Sequence, residues 1–115
     1  QESIALTVAQ ANGCDYCISA HTVLGGMVKL TTEEMVANRK GTSNDPKRKA
    51  LIELTKEIVS EKGRVSDNTL GTFKNAGYTD AHVPEVLLSV VQNIYTNYFN
   101  NLNQTDVDFP QAPKI

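Results

Sequence analysis

Cys14 and Cys17, the only cysteines of the chain, stand with His21 in the stretch ANGCDYCISAHTV, residues 11–23. On a helix turning about 100° per residue, these three side chains fall within about 60° of arc and share one face. Cysteines at that spacing hold their α-carbons about 5 Å apart, inside the range a disulfide bridges without backbone movement. The pair can therefore open and close in place.

Unpaired amides at a helix N-terminus favour thiolate over thiol and can lower a cysteine pKa from about 8.5 toward 7. Cys14 sits closest to that field. His21 lies one turn beyond Cys17 and two turns, about 10 Å along the axis, from Cys14, so a histidine base belongs with Cys17. This ordering makes Cys17 the attacking thiolate and Cys14 the resolving thiol that condenses with a sulfenic acid on Cys17. Spacing alone leaves two other readings open: a pair of buried thiols, or half of a zinc site. Zinc needs about four ligands, and beyond Cys14, Cys17 and His21 the candidates are His82, a carboxylate such as Glu2, or a partner chain. His82 precedes VPEV and reads as an exposed helix-start residue.

Composition narrows the class. A chain of 115 residues with 40% apolar content and a formal charge of −2 fits one globular domain, here 1–115. The basic runs at Asn38–Lys40 and Lys47–Lys49 are offset by Glu33, Glu34, Glu53, Glu57 and Glu61, which describes solvated helix faces, and no nucleic acid is expected as partner. No apolar run approaches the roughly 18 residues of a membrane span, and no leader is evident, so a cytoplasmic protein without membrane contact is expected. The chain opens at Gln1 rather than Met, and the expectation is that upstream helices have been removed.

The elements that must hold the cysteines read as helices throughout, for apolar residues recur at helical spacing and no strand-like alternation is sustained. The fold class is all-α. A first helix over about Glu2–Ala11 carries Ile4, Val8 and Ala11 on one stripe and closes at Asn12-Gly13, where Gly tolerates the left-handed conformation. The second runs from near Cys14 to about Val28, with Gly25 and Gly26 marking a close helix contact or an early end. Thr31 to Glu34 reads as a capping box for a short helix over about Thr32–Arg39. Asp45-Pro46 opens the next, which ends at Gly63, and Ser66 caps one that ends at Gly77.

The last and longest helix starts at about Thr79 or Asp80, with Pro84 in its opening turn. Leu87, Val91, Ile94, Tyr98 and Leu102 form one apolar face, and Leu88, Tyr95 and Phe99 another. So small a domain has no use for both in its own core, and the second face is expected to meet another subunit. Residues 103–115 are too rich in Pro, Asn and Asp to be helical and are expected to form an extended arm lying on a neighbour.

The stretch ESIALTVAQANGCDYCISAHT resembles the core motif of the alkylhydroperoxidase D and carboxymuconolactone decarboxylase superfamily. Glu2, the Asn-Gly turn, Cys14, Tyr16, Cys17 and His21 fill the places that mark its redox branch, and the resemblance extends in weaker form through the last helix to VDFP. It implies an alkylhydroperoxidase D-like helical domain that assembles into trimers or hexamers and reduces organic hydroperoxides with thiols. It also implies a proton relay of Glu2, His21 and a water that activates Cys17, with Cys14 resolving. Tyr16 is a possible supporting residue, standing where some peroxidases of the superfamily carry a histidine. Lys29 stands where a Gly is expected to end the second helix.

No bound cofactor or metal is implied; the reductant is an external dithiol, such as the dihydrolipoamide of a dithiol-bearing protein. Two alternatives stand beside the peroxidase: a protein disulfide reductase or redox partner with little peroxidase turnover, and a metal-binding or structural oligomerisation module. The decarboxylase side of the superfamily is disfavoured, because its members lack the paired cysteines.

Overall fold

The chain folds as six helices: α1 (Glu2–Ala11), α2 (Asp15–Met27), α3 (Thr32–Arg39), α4 (Pro46–Ser60), α5 (Asp67–Asn75) and α6 (His82–Asn103). These bounds come from a computed structural model that describes residues 1–115. Side-chain caps open four of the helices: Cys14 accepts from the Cys17 amide, Thr31 from Glu34, Asp45 from Arg48 and Ser66 from Thr69. An oxygen cap of this kind contributes about 1 kcal/mol. The all-α expectation holds, and the helix ends fall within a few residues of those read from sequence.

α6 starts later than expected because Thr79–Ala81 form a turn. The Thr79 amide donates to His82 Nδ1 at 2.9 Å, and Pro84 is the third helical residue, where its missing N–H costs nothing. His82 is half-buried at that helix start, its ring edge-on to Tyr78 at 5.6 Å.

α2 ends without the expected glycine. Lys29 takes the left-handed conformation itself, φ 69°, while its amide donates to the Gly26 carbonyl and the Leu30 amide to that of Gly25. The geometry is that of a Schellman closure with a side chain at the position Gly normally fills, at a cost of about 1 kcal/mol.

α1 is the central helix, packed by α2, α3, α4 and α6. Every residue from Ser3 to Ala9 is buried, so the single stripe expected from sequence is corrected to burial on all sides, and Ala11 is exposed. Ile4 and Val8 join Leu54 and Ile58 of α4, Phe73 of α5, and Val86 and Val90 of α6 in the main core. Truncating a ring as buried as Phe73 to Ala costs about 3–5 kcal/mol.

The inward stripe of α6 also differs from expectation. Val83, Val86, Val90 and Ile94 face the core, whereas Leu87, Val91, Tyr98 and Leu102 join Leu88, Tyr95 and Phe99 on the exposed side. The acidic residues are not all solvated either. Glu34 is buried: its Oε2 accepts from the Ser43 hydroxyl at 3.0 Å, its Oε1 from the Asn38 amide at 3.3 Å, and Arg48 lies 3.4 Å away. The Thr31 half of the expected capping box forms, while the carboxylate turns inward to these partners.

The segment after α6, residues 104–115, is extended, with Asn103 still helical. It runs back over its own chain: Phe109 meets Tyr16 edge-on at 5.5 Å, and Ala112 packs on the cysteine cluster. Arg39 donates to the Pro113 carbonyl, and its Nε donates to Gln10 Oε1 at 2.9 Å. Arg39 is thus tied into the fold rather than displayed on a solvated face, and burial lowers its pKa from the ordinary value. No helix is long and apolar enough to cross a membrane.

Candidate functional site

The turn between α1 and α2 sets the first sulfur. Gly13, at φ 63°, lets the Gly13 amide donate to the Gln10 carbonyl and the Cys14 amide to that of Ala9. This Schellman closure brings Cys14 against Ala9, and the two pack in one apolar cluster with Cys17 and Ile18. Cys14 then serves as the N-cap of α2, its Sγ accepting from the Cys17 amide at 3.2 Å. One residue therefore ends one helix and starts the next.

Cys14 and Cys17 form a disulfide, with α-carbons 5.2 Å apart, as the helical spacing leads one to expect. The two residues are 1% and 3% exposed. Water therefore has little access to the sulfurs, and any charge on them depends on donors that the fold supplies.

His21 and Glu2 come together on the adjoining helices α2 and α1, with His21 Nδ1 2.7 Å from Glu2 Oε2. Both are partly buried. A carboxylate accepts only, so Nδ1 carries the proton and donates, which leaves the Nε2 lone pair as the acceptor of the ring. The imidazole is hydrogen-bonded to Glu2 and Cys14 Sγ to the Cys17 amide; no hydrogen bond joins His21 to a sulfur. Tyr16, between the cysteines, is half-buried and turns its ring edge to Phe109 of the tail. No group of three or more His, Cys, Asp or Glu side chains is arranged to hold a metal ion.

Sequence reasoning passed over the contribution of α6. Asn97 Oδ1 accepts from Asn12 Nδ2 at 3.1 Å, and Asn101 Nδ2 donates to the Asn12 carbonyl at 3.0 Å, so two asparagines clamp the turn that precedes Cys14. Asn100 Nδ2 reaches Cys17 Sγ at 3.6 Å, and the Thr96 carbonyl oxygen lies 3.9 Å from the same sulfur. The signal was present in the spacing: Asn93, Asn97, Asn100 and Asn101 fall within about 100° of arc, a polar stripe on an otherwise apolar helix. It continues the inward valine stripe, so one face of α6 packs the core with its first turns and the cysteine site with its last.

A cavity of about 360 Å³ opens at Cys14. Asp15 and Tyr16 wall it on one side, and Asn100, Asn101, Gln104 and Thr105 on the other. Its walls mix side-chain amides, the Thr105 hydroxyl and the Asp15 carboxylate with apolar surface from Cys14, Tyr16 and Val107. A second, of about 430 Å³, lies between Ile18, Ser19 and Arg39 and the returning tail.

The fold and site together define a helical protein with a Cys-x-x-Cys disulfide at a helix start, an arrangement compatible with redox chemistry. Residues 1–57, α1 through most of α4, match the carboxymuconolactone decarboxylase family model. The matched segment contains Glu2, Cys14, Cys17 and His21. The disulfide fits its redox branch. No curated protein matches the chain.

Proposed function

We propose that this protein reduces organic hydroperoxides at the expense of an external dithiol. The observation that carries the reading is the Glu2–His21 pair, 2.7 Å apart, on the helices that also frame the Cys14–Cys17 bridge. A disulfide alone would serve a merely structural role; a carboxylate-oriented imidazole beside it adds the base that thiolate chemistry needs.

In the reduced chain, His21 Nε2 takes the Cys17 proton through a water that spans the gap between imidazole and sulfur. The thiolate attacks the terminal oxygen of ROOH; the O–O bond breaks, RO⁻ leaves and takes the proton back to become ROH. Cys17 is now a sulfenic acid. The Cys14 thiolate attacks its sulfur, the S–S bond forms, and hydroxide leaves as water with the proton that Cys14 gave up. A dithiol then reduces the bridge through a mixed disulfide and leaves as its own disulfide, so two electrons pass from dithiol to peroxide. Dihydrolipoamide carried on a protein is the reductant proposed, and the cytoplasm, where thiols are kept reduced, is the compartment that suits the cycle.

The assembly proposed is a homo-oligomer, trimer or hexamer, formed through the apolar outer face of α6. The catalytic proposal is tested by following loss of an organic hydroperoxide with dihydrolipoamide as donor. Turnover that depends on Cys17 supports it; turnover that survives Cys17→Ser overturns it. Negligible peroxide loss with rapid exchange against a protein disulfide would transfer the same site to disulfide reduction.

A further inference from the structure

The two sulfurs of the bridge receive their hydrogen bonds from different sources. Cys14 Sγ accepts from the backbone amide of Cys17. The Asn100 side chain supplies the N–H donor at Cys17 Sγ, 3.6 Å away. Asn100 is itself held at both ends of its amide: Nδ2 also donates to the Thr96 carbonyl at 2.9 Å, and Oδ1 accepts from the Thr105 hydroxyl at 2.7 Å. A side chain pinned this way keeps its N–H aimed at the sulfur when the bridge opens.

We infer that Asn100 is the donor that stabilises the Cys17 thiolate, both when that sulfur leaves the disulfide and when it attacks a substrate. The inference rests on Cys17 acting as a thiolate, as the proposed function requires. With Cys17 3% exposed, solvent cannot fill the donor's place, and a charged sulfur left without one bears the full cost of desolvation. Opening the bridge by attack of an external thiolate on Cys14, the cysteine that lines the cavity, breaks the S–S bond and sends its electron pair to Cys17, where the Asn100 amide is already in place. The titratable side chains on the surrounding elements are Glu2 of α1, Asp15, Tyr16 and His21 of α2, Tyr95 and Tyr98 on the outer side of α6, and Asp106, Asp108 and Lys114 of the tail. The side of α6 that faces the site brings the amides of Asn97, Asn100 and Asn101 and no charge, so the donor acts as a dipole.

The test is the pH dependence of Cys17 alkylation by iodoacetamide in the full chain carrying Cys14→Ser, where a single thiol reacts. Asn100→Ala is expected to slow alkylation at neutral pH about ten-fold and to move the profile about one unit toward higher pH, the effect of one hydrogen bond to a charged group. Asn100→Asp keeps the shape and replaces the donor with a charge of the wrong sign, so its profile is expected to move further the same way. Asn103→Ala removes an exposed amide that donates to the Phe99 carbonyl, away from the sulfur, and is expected to leave the profile in place. Equal profiles for parent and Asn100 variants, or equal shifts for Asn100→Ala and Asn103→Ala, would overturn the assignment. Alkylation needs no peroxide, so a shifted profile in a chain that fails to turn over hydroperoxide would sink the proposed activity and leave Asn100 in its role.

Discussion

Glu2 Oε2 and His21 Nδ1 meet at 2.7 Å across the α1–α2 packing, one partner at the very start of α1 and the other in the middle of α2. The contact fixes which ring nitrogen is protonated and leaves Nε2 to accept. Glu2→Gln keeps a hydrogen-bonding oxygen and removes the charge that offsets an imidazolium. Hydroperoxide turnover is expected to fall about 10- to 100-fold and that of His21→Ala about 100-fold or more, in line with a general base. Steady-state kinetics with circular dichroism as a fold control measure this. A double variant no slower than His21→Ala alone is the expected sign that the two act as one unit.

Two adjacent glycines in α2 are expected to respond in opposite directions. A Cβ on Gly25 would meet Met35 Sδ at 2.6 Å, whereas one on Gly26 would meet nothing within 4 Å. Gly26→Ala therefore gains helix propensity and is expected to raise stability by about 0.5–1 kcal/mol. Gly25→Ala must displace the buried Met35 and is expected to cost about 1–3 kcal/mol. Urea unfolding of the two variants, each against the parent, checks both signs.

Glu57 links α4 to the start of α5. The Thr69 hydroxyl and then the Ser66 amide donate to its carboxylate and hold its pKa below the ordinary carboxylate value. A group whose folded pKa is depressed contributes stability that is complete above its unfolded value, about 4.3 for Glu, and is lost as pH falls through the folded value. Glu57→Gln is expected to be less stable than the parent near neutrality, with the gap closing as the pH drops below about 4. A gap that stays constant over that range would assign the effect to packing instead.

How much of this was legible follows from the range of each interaction. Thr31, Asp45 and Ser66 cap amides three residues away, so α3, α4 and α5 could be read from neighbouring letters. Cys14, Cys17 and His21 were also local, Cys17 and His21 lying one turn apart on α2 and Cys14 capping its start. The inward stripe of α6 was not, because the helix carries apolar residues around most of its girth; α1 and α4 select Val86 and Val90 over the larger Leu87 and Leu88. Glu34 looked solvated because Ser43 and Arg48, which accompany it inward, lie on later segments. Asn100 reaches a sulfur 83 residues away in sequence, and no local pattern names that partner. Glu2 entered through family resemblance, since a glutamate at a helix start is ordinarily solvated.

The outer face of α6 leads to a prediction about assembly. Leu88, Tyr95 and Leu102 are 60%, 70% and 82% exposed, and with Leu87, Val91, Tyr98 and Phe99 they lie along one helix that spans His82–Asn103. Scattered exposed apolar residues need no explanation, but a continuous run of this length does. The inward stripe already serves the core, so the outer residues are available to bury against a second copy without disturbing the fold. The chain is expected to sediment above its 12.6 kDa mass. Leu88→Glu combined with Tyr95→Glu places like charges on that face and is expected to reduce the species to a single chain with its helix content unchanged. The site reaches α6 by the opposite face, through Asn97, Asn100 and Asn101, so the dissociated chain is expected to retain its Cys14–Cys17 bridge in a thiol titration. A parent that sediments as one chain, or a charged variant that keeps its larger mass, would show that α6 is not the surface on which copies meet.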